Sequence, residues 1–241
     1  MMKFRVLPAL LFYFFSAASS EAAEDLKKAA AFNESAIVKV KAGDLDGAET
    51  DLLAGLEYSP ENSKILKNLG AVYYEKGVRA TQKKDLYEAE KKLKASLRIE
   101  PANERYSRAL ARAVSMQADA RAKIGQNEEA LELYKKAAQY DPKNASAWAQ
   151  ASNYAWLTQR LDLAREYLDR AKVLDPGDKN VLFLEEKLKK SSQEAQTPVL
   201  SSLHFILSAG SSAAAEKAGA QVLAGLEEAY NEVSYELNFF P

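Results

Sequence analysis

Small and bulky apolar positions recur in a fixed order through the middle of the chain. Alanine stands at 48, 89, 130 and 164, and four residues on comes Leu52, Leu93, Tyr134 or Leu168. Three residues further comes Gly55, Ser96, Ala137 or Ala171, and five further a proline, Pro60, Pro101, Pro142 or Pro176. Five residues before each alanine stand Gly43 and Gly125 in two copies, with Lys84 and Gln159 in the glycine's place in the others. Steps of four and three put the three spaced positions on one face of an α-helix. The small residues there admit a second helix at close range, and the bulky one fills the gap between the two. Each proline is expected to open the next helix, where its missing N–H costs nothing. The pattern predicts an all-α chain of stacked helical hairpins.

The prolines are separated by 41, 41 and 34 residues. Aligning the second and third copies at their shared period leaves seven extra residues in each, about two helical turns. They fall before the second helix. The first helices are therefore predicted to run over Asn62–Lys83 and Asn103–Ile124 and to pack along their added length, Val72, Val78 and Ala80 against Val114, Ala118 and Ala122. Over about Ala29 to Asp178 this resembles the tetratricopeptide repeat, a helix-turn-helix unit of 34 residues. Trp148 in the fourth copy, and Leu69-Gly70 with Tyr73 in the second, match the aromatic and Leu-Gly features of that family's first helix. The resemblance implies a solenoid whose first helices line a concave face, and a function in binding other proteins.

Both ends have a different texture. Lys3 and Arg5, the apolar run Val6–Phe15 and the small residues Ser16–Ala23 follow one another as the three parts of a secretory signal peptide. The run is about half the length of a membrane-spanning helix, so cleavage before Ala23, with no lasting membrane anchor, is the expectation. The division is then a signal over 1–22, a solenoid of about four repeats plus a capping helix over 23–192, a linker over 193–198 and a strand-helix segment over 199–241. The capping helix is expected at Asn180–Ser191, with Val181, Leu182, Leu184 and Leu188 on its apolar side. A strand is expected at Leu203–Leu207 around His204, a turn at Gly210–Ser212, and a long helix over Ala213–Leu237 with Val222, Leu226, Ala229 and Val233 in register. His204-Phe205, Leu226–Tyr230 and Leu237–Pro241 resemble the opening strand and helix of metallopeptidase-like domains that follow such repeats in some exported bacterial proteins. With one strand to cover the helix, the sequence reads as a chain that stops inside a domain, before any metal-binding His-Glu-x-x-His helix.

Composition removes most chemistry. Alanine dominates while Gly and Pro number 10 and 7, which suits helix. There are 33 basic and 34 acidic residues, no Cys and one His. Near-neutral charge gives nucleic acid nothing to hold, and the absence of Cys excludes disulfides, thiolate metal sites and cysteine nucleophiles. A single His cannot build a zinc hydrolase site, and no glycine-framed serine accompanies it. No catalytic residue, cofactor or metal site is expected.

Binding is a different matter. Arg105, Arg108 and Arg112 fall at i, i+3 and i+7 on one first helix, and Lys64 and Lys67 lie at the matching end of another. Such a stripe could grip the carboxylates of an acidic or C-terminal segment through arginine forks. The alternative is a solvated face neutralised by Glu100, Glu104 and Asp119. Tyr74, Asn153 and Trp156 are further candidate contacts, Trp156 equally a core residue. Chaperone-binding members of the family clamp a terminal carboxylate with Lys and Asn one turn apart on the first helix. Asn33 with Ile37, and Lys67 with Ala71, do not reproduce that clamp. The expected protein is an exported scaffold, periplasmic or secreted, that binds another protein or an acidic peptide and catalyses nothing. The alternative is the N-terminal fragment of a repeat-linked zinc metallopeptidase.

Overall fold

The computed structural model describes residues 7–195, 199–208 and 212–236. Among them run α1 (Leu7–Lys41), α2 (Leu45–Tyr58), α3 (Ser63–Gln82), α4 (Leu86–Ile99), α5 (Glu104–Lys123), α6 (Asn127–Tyr140), α7 (Ala145–Leu157), α8 (Leu161–Leu174), α9 (Lys179–Ala195), β1 (Val199–Ser201), β2 (Ile206–Ser208) and α10 (Ala213–Glu236). Helices α1 to α8 pair as four hairpins, the second helix of each packs on the first helix of the next, and α9 packs on α8 and α7. The architecture is an all-α solenoid of the tetratricopeptide type, followed by a short β-hairpin and a helix. Helix α1 takes in most of the apolar run read as an export signal, whereas Met1–Arg5 lie outside the described residues. No described helix is long and apolar enough to cross a membrane.

Each hairpin turns on one left-handed residue. Gly43, Lys84, Gly125 and Gln159 have φ of 82°, 62°, 77° and 60°. The residue after each closes back on the preceding helix, Asp44 to Lys39, Asp85 to Ala80, Gln126 to Arg121 and Arg160 to Ala155, at 2.8–3.0 Å. This is the bonding that satisfies the carbonyls at a helix end. The same residue is the N-cap of the second helix: Asp44 accepts from the Gly47 N–H and Asp85 from the Glu88 N–H, while Gln126 and Arg160 make no side-chain cap.

The prolines do not open helices. Pro60, Pro101 and Pro142 stand two residues ahead of the N-caps Asn62, Asn103 and Asn144, whose side chains accept from backbone N–H groups of α3, α5 and α7. The residue before each of these prolines lies outside the helical region, with ψ of 80–81° at Ser59, Glu100 and Asp141, because proline disfavours a helical neighbour. A tight turn then carries the chain over, the Asn62 N–H bonding the Ser59 carbonyl and the Asn103 N–H that of Glu100, each at 3.1 Å.

Close approach is where the pattern placed it. Ala48, Ala89, Ala130 and Ala164 are wholly buried, and Leu52, Leu93, Tyr134 and Leu168 fill the space beside them. The Ser152 hydroxyl reaches the Ala164 carbonyl at 2.7 Å across α7 and α8. Helices α3 and α5 start and stop where the seven-residue insertion predicts, at 20 residues each against 13 for α7. Their added turns pack on one another only in part: of the expected pairs, Ala80 and Val114 share a hydrophobic cluster and the others do not. Val72 is buried with Ala36, Leu45 and Leu52 of the first hairpin, Val114 joins Ala89 and Leu93, and Ala118 belongs to the cluster around Trp148. Helix α4 packs between α3 and α5 and takes up these faces, so Val78 is left lining an open cleft.

The C-terminal part departs further from expectation. Helix α9 continues through Ala195, so the first half of the stretch read as a linker is helical, and 196–198 lie outside the described residues. Val181, Leu184 and Leu188 are buried, but Leu182 is exposed. Two strands form where one was expected: Val199–Ser201 pairs antiparallel with Ile206–Ser208, in the register Leu200 to Leu207, and His204 sits in the turn. The strand therefore has its partner. Helix α10 packs on this hairpin. It does so through Leu223, Glu227 and Tyr230, whereas Val222, Leu226 and Val233, expected to form its core face, are 54%, 40% and 54% exposed. Glu227 decides the rotation, since its carboxylate accepts from the His204 backbone N–H at 2.7 Å and meets His204 Nδ1 at 2.8 Å. The expected turn at Gly210–Ser212 and the tail from Leu237 lie almost wholly outside the described residues.

Candidate functional site

The first helices α1, α3, α5 and α7 are separated by a row of clefts, and the arginine stripe faces two of them. On α5 the buried side is set by Tyr106, Leu110 and Ala113. The opposite side, carrying Arg105, Arg108 and Arg112, is thereby turned outward. Between α3 and α5 lies a cleft of about 590 Å³, lined by Tyr74, Val78, Ala109 and Met116 together with all three arginines. Between α5 and α7 lies a smaller one of about 390 Å³, where Arg108 and Arg112 meet Ser115, Asp119, Asn144 and Gln150.

The three arginines differ in what they already hold. Arg105 pairs with Glu75 of α3 at 3.2 Å, and its guanidinium lies 4.3 Å from the Tyr74 ring centre. Tyr74 in turn stacks on Tyr106 at 5.1 Å. Arg108 donates through Nε to the Glu104 carbonyl at 3.2 Å. Among the described residues neither Arg108 nor Arg112 forms an ion pair. The carboxylates read as their neutralising partners are engaged elsewhere. Glu104 pairs with Lys143 at 2.9 Å, whose hydrogen bond and charge hold it below the usual carboxylate range. Glu100 accepts from the Asn103 amide at 3.0 Å, and burial with Glu100 nearby pushes Tyr106 up to about 12. Asp119 accepts from the Tyr134 hydroxyl, whose ionisation burial and that carboxylate push up.

The remaining sequence candidates are scattered. Lys64 and Lys67 are exposed at the start of α3, away from both arginine clefts. Asn153 and Trp156 face the capping helix. Trp156 donates to Ser191 at 2.9 Å, Lys187 of α9 lies 3.6 Å from its ring centre, and the same ammonium reaches Asn153 at 3.5 Å. They meet α9, and the arginines do not. What the sequence reading left out is a third cleft of about 230 Å³ between α1 and α3, lined by Ala36, Ile37, Val40, Ala71 and Val72. Ile37 and Ala71 stand where the clamp of chaperone-binding relatives would need polar residues. A signal was present in the sequence, as apolar side chains on helix positions that the repeat pattern does not use for its core.

Residues 115–179, from the middle of α5 to the start of α9, match the family model of the tetratricopeptide repeat. The solenoid has a tetratricopeptide-like fold. Solved structures similar to the chain include the Arabidopsis OM64 TPR domain, at 23% identity over 52% of this chain and 98% of that one, with a TM-score of 0.38. A tetratricopeptide repeat protein from Parabacteroides merdae is 20% identical over 69% of this chain and 60% of its own, with a TM-score of 0.38. Pseudomonas aeruginosa pilF is 14% identical over 71% and 87%, again at 0.38. No curated protein matches the sequence.

The metallopeptidase resemblance of residues 199–241 gains no support. The family match lies in the repeats, and among the described residues no group of three or more His, Cys, Asp or Glu side chains could hold a metal ion. His204, Glu227 and Tyr230 form a structural lock. The imidazole stacks 4.0 Å from the Tyr230 ring, and the hydrogen bonds from His204, then Ser202, carry the Glu227 carboxyl down to about 2.

Proposed function

We propose that this protein is an exported, non-catalytic TPR scaffold that holds an acidic segment of another protein along the groove formed by α1, α3, α5 and α7. One observation carries this reading: Arg108 and Arg112 face two clefts, beside the ring of Tyr74, and among the described residues neither has a carboxylate partner. Two guanidinium forks on adjacent turns can take carboxylates in pairs, and each charge-assisted bond is stronger than a neutral one. Arg105 has a different part, holding the Tyr74 ring and Glu75 in place.

The test is capture from an extract of the native host's envelope with the purified chain as bait. Wild type retains a partner, and Arg108→Glu with Arg112→Glu loses it. Capture weakens as salt rises through about 0.1–0.5 M, where the screening length falls below roughly 10 Å. Unchanged capture by the double variant, with the melting curve unaltered, would return the stripe to a solvated face. Export is tested separately by N-terminal sequencing from the native host, with Ala23 or a near neighbour expected first. Intact Met1 on cytoplasmic protein would overturn it.

A further inference from the structure

Residues 199–236 bury too little to hold themselves together. Among their described side chains Leu223 is the one buried hydrophobic, and the elements that α10 packs on are β1 and β2. A two-stranded hairpin alone is marginal in water, and units below roughly 40 residues usually need disulfides, a metal or association with another chain. The sequence has no Cys, and among the described residues no cluster of side chains could hold a metal ion. Association is what remains.

Helix α10 carries the surface for it. Val222, Leu226, Ala229 and Val233 follow one another at alternating steps of four and three, the spacing of a coiled-coil seam. All four are exposed. The side that holds the hairpin, with Leu223, Glu227 and Tyr230, lies one residue on, roughly 100° around the helix, and leaves the seam open. The order of sizes along the seam complements itself when reversed. Two α10 helices placed antiparallel, about an axis between Leu226 and Ala229, set Leu226 of each copy opposite Ala229 of the other and Val222 opposite Val233. Large meets small at the centre. A parallel pair would set Leu226 on Leu226 and leave a gap between the two alanines. Charge points the same way, because Glu232 borders the seam beside Val233. In a parallel pair the two copies of Glu232 would face each other, whereas the antiparallel pair holds them about nine residues out of step. That is roughly 14 Å, beyond the screening length of about 8–10 Å.

We infer that this protein forms a two-fold dimer in which the seam of α10 is covered by α10 of a second copy, antiparallel. Such an interface is the same patch on both copies and closes on itself, so each assembly holds two repeat arrays. The contact uses no residue of the groove.

Sedimentation velocity of the purified chain over a range of concentrations tests this. Wild type is expected as a dimer at micromolar concentration. Leu226→Glu should sediment as a monomer, because the dimer would bury its carboxylate without a partner. Ala229→Leu enters the dimer twice and overpacks both central contacts, so the dissociation constant should rise about tenfold or more. Leu226→Ala with Ala229→Leu exchanges large and small across the same contacts and should restore the dimer. The melting curve of the repeats should be unchanged in all three, since these side chains lie outside the core clusters of the solenoid. Arg108→Glu with Arg112→Glu should stay dimeric whatever its effect on partner capture, which keeps this contact and the acidic-segment reading separable. A monomeric wild type at micromolar concentration would overturn the dimer, and so would a dimer that Leu226→Glu leaves intact. Tighter association of Ala229→Leu, or an exchanged variant no better than Ala229→Leu alone, would overturn the antiparallel pairing.

Discussion

Gly43 and Gly125 adopt a left-handed backbone at no steric cost, but Lys84 and Gln159 hold the same conformation with a Cβ in the way. That conformation costs an L-residue roughly 1–2 kcal/mol, part of which glycine would give back through its freer unfolded chain, about 0.4–1 kcal/mol. Lys84→Gly and Gln159→Gly should therefore each stabilise by about 0.5–1 kcal/mol, raising the melting temperature by roughly 1–4 °C in a chain of this size. No rise in either would mean that these turns are held by contacts other than the backbone. Gln126 offers a second correction at the same scale, because it occupies an N-cap without capping, while Asp44 and Asp85 at the equivalent positions do cap. Gln126→Asp should add about 1 kcal/mol, visible as a higher urea midpoint at unchanged slope. Lys84 and Gln159 were legible in the sequence as deviations of a copy from its siblings, whereas the cap position at Gln126 was not singled out there. Which deviation is strained and which is merely uncapped needed the dihedral angles and the bonds.

Among the helices the decisive contacts are those that permit close approach. A leucine at Ala130, which is wholly buried, would overpack the α5/α6 hairpin at about 1–3 kcal/mol, whereas Lys136→Leu should leave thermal unfolding almost unmoved. Gly77 makes the same demand without belonging to the repeat pattern. A Cβ there would stand 2.5 Å from Leu93 Cγ and 3.2 Å from the Leu93 backbone nitrogen. Gly77→Ala should lower the melting temperature despite alanine's better helix propensity. In the C-terminal unit, Glu227 is held at about 2 by its bonds to His204 and Ser202, below the unfolded value of about 4.3. A carboxyl depressed in the folded state adds stability that is present above the unfolded value and lost as pH falls through the folded one. Cleavage of residues 199–236 by pepsin should thus accelerate between about pH 4.5 and 2, and Glu227→Gln should be cleaved readily across that range. Pepsin resistance of the variant at pH 4.5 equal to wild type would show that this lock does not hold the unit together. The sequence reading missed the lock because it assigned His204 to a strand. Residues 199–201, to which no element was assigned, provide the second strand and leave His204 in the turn.

At the scale of the molecule, the stacking of four hairpins aligns α1, α3, α5 and α7 into one groove with an apolar end and a cationic middle. The prediction that belongs here is the loss of partner capture in Arg108→Glu with Arg112→Glu. Arg105→Glu should act differently, breaking the Glu75 pair and the contact on Tyr74, so that its effect on capture is partial and far less dependent on salt. Equal loss, with equal salt dependence, in the single and double variants would merge all three arginines into one charge patch. By itself the sequence determined the helices of the repeats and their order: the spacing of Ala48, Leu52 and Gly55 and of their later copies is a local property of a 3.6-residue helix. The seven-residue insertions and the outward direction of the arginine stripe follow from the same period. Only the tertiary structure decided what that stripe meets. Whether Glu100, Glu104 and Asp119 neutralise the arginines depends on Asn103, Lys143 and Tyr134 claiming them first, and Lys143 and Tyr134 come from beyond α5. Trp156 and Asn153 were likewise placed by α9, whose approach no pattern within α7 encodes. Periodicity specifies which face of a helix is apolar, but partners across a groove are fixed by how successive hairpins stack, and that is set by the shapes of many side chains acting together.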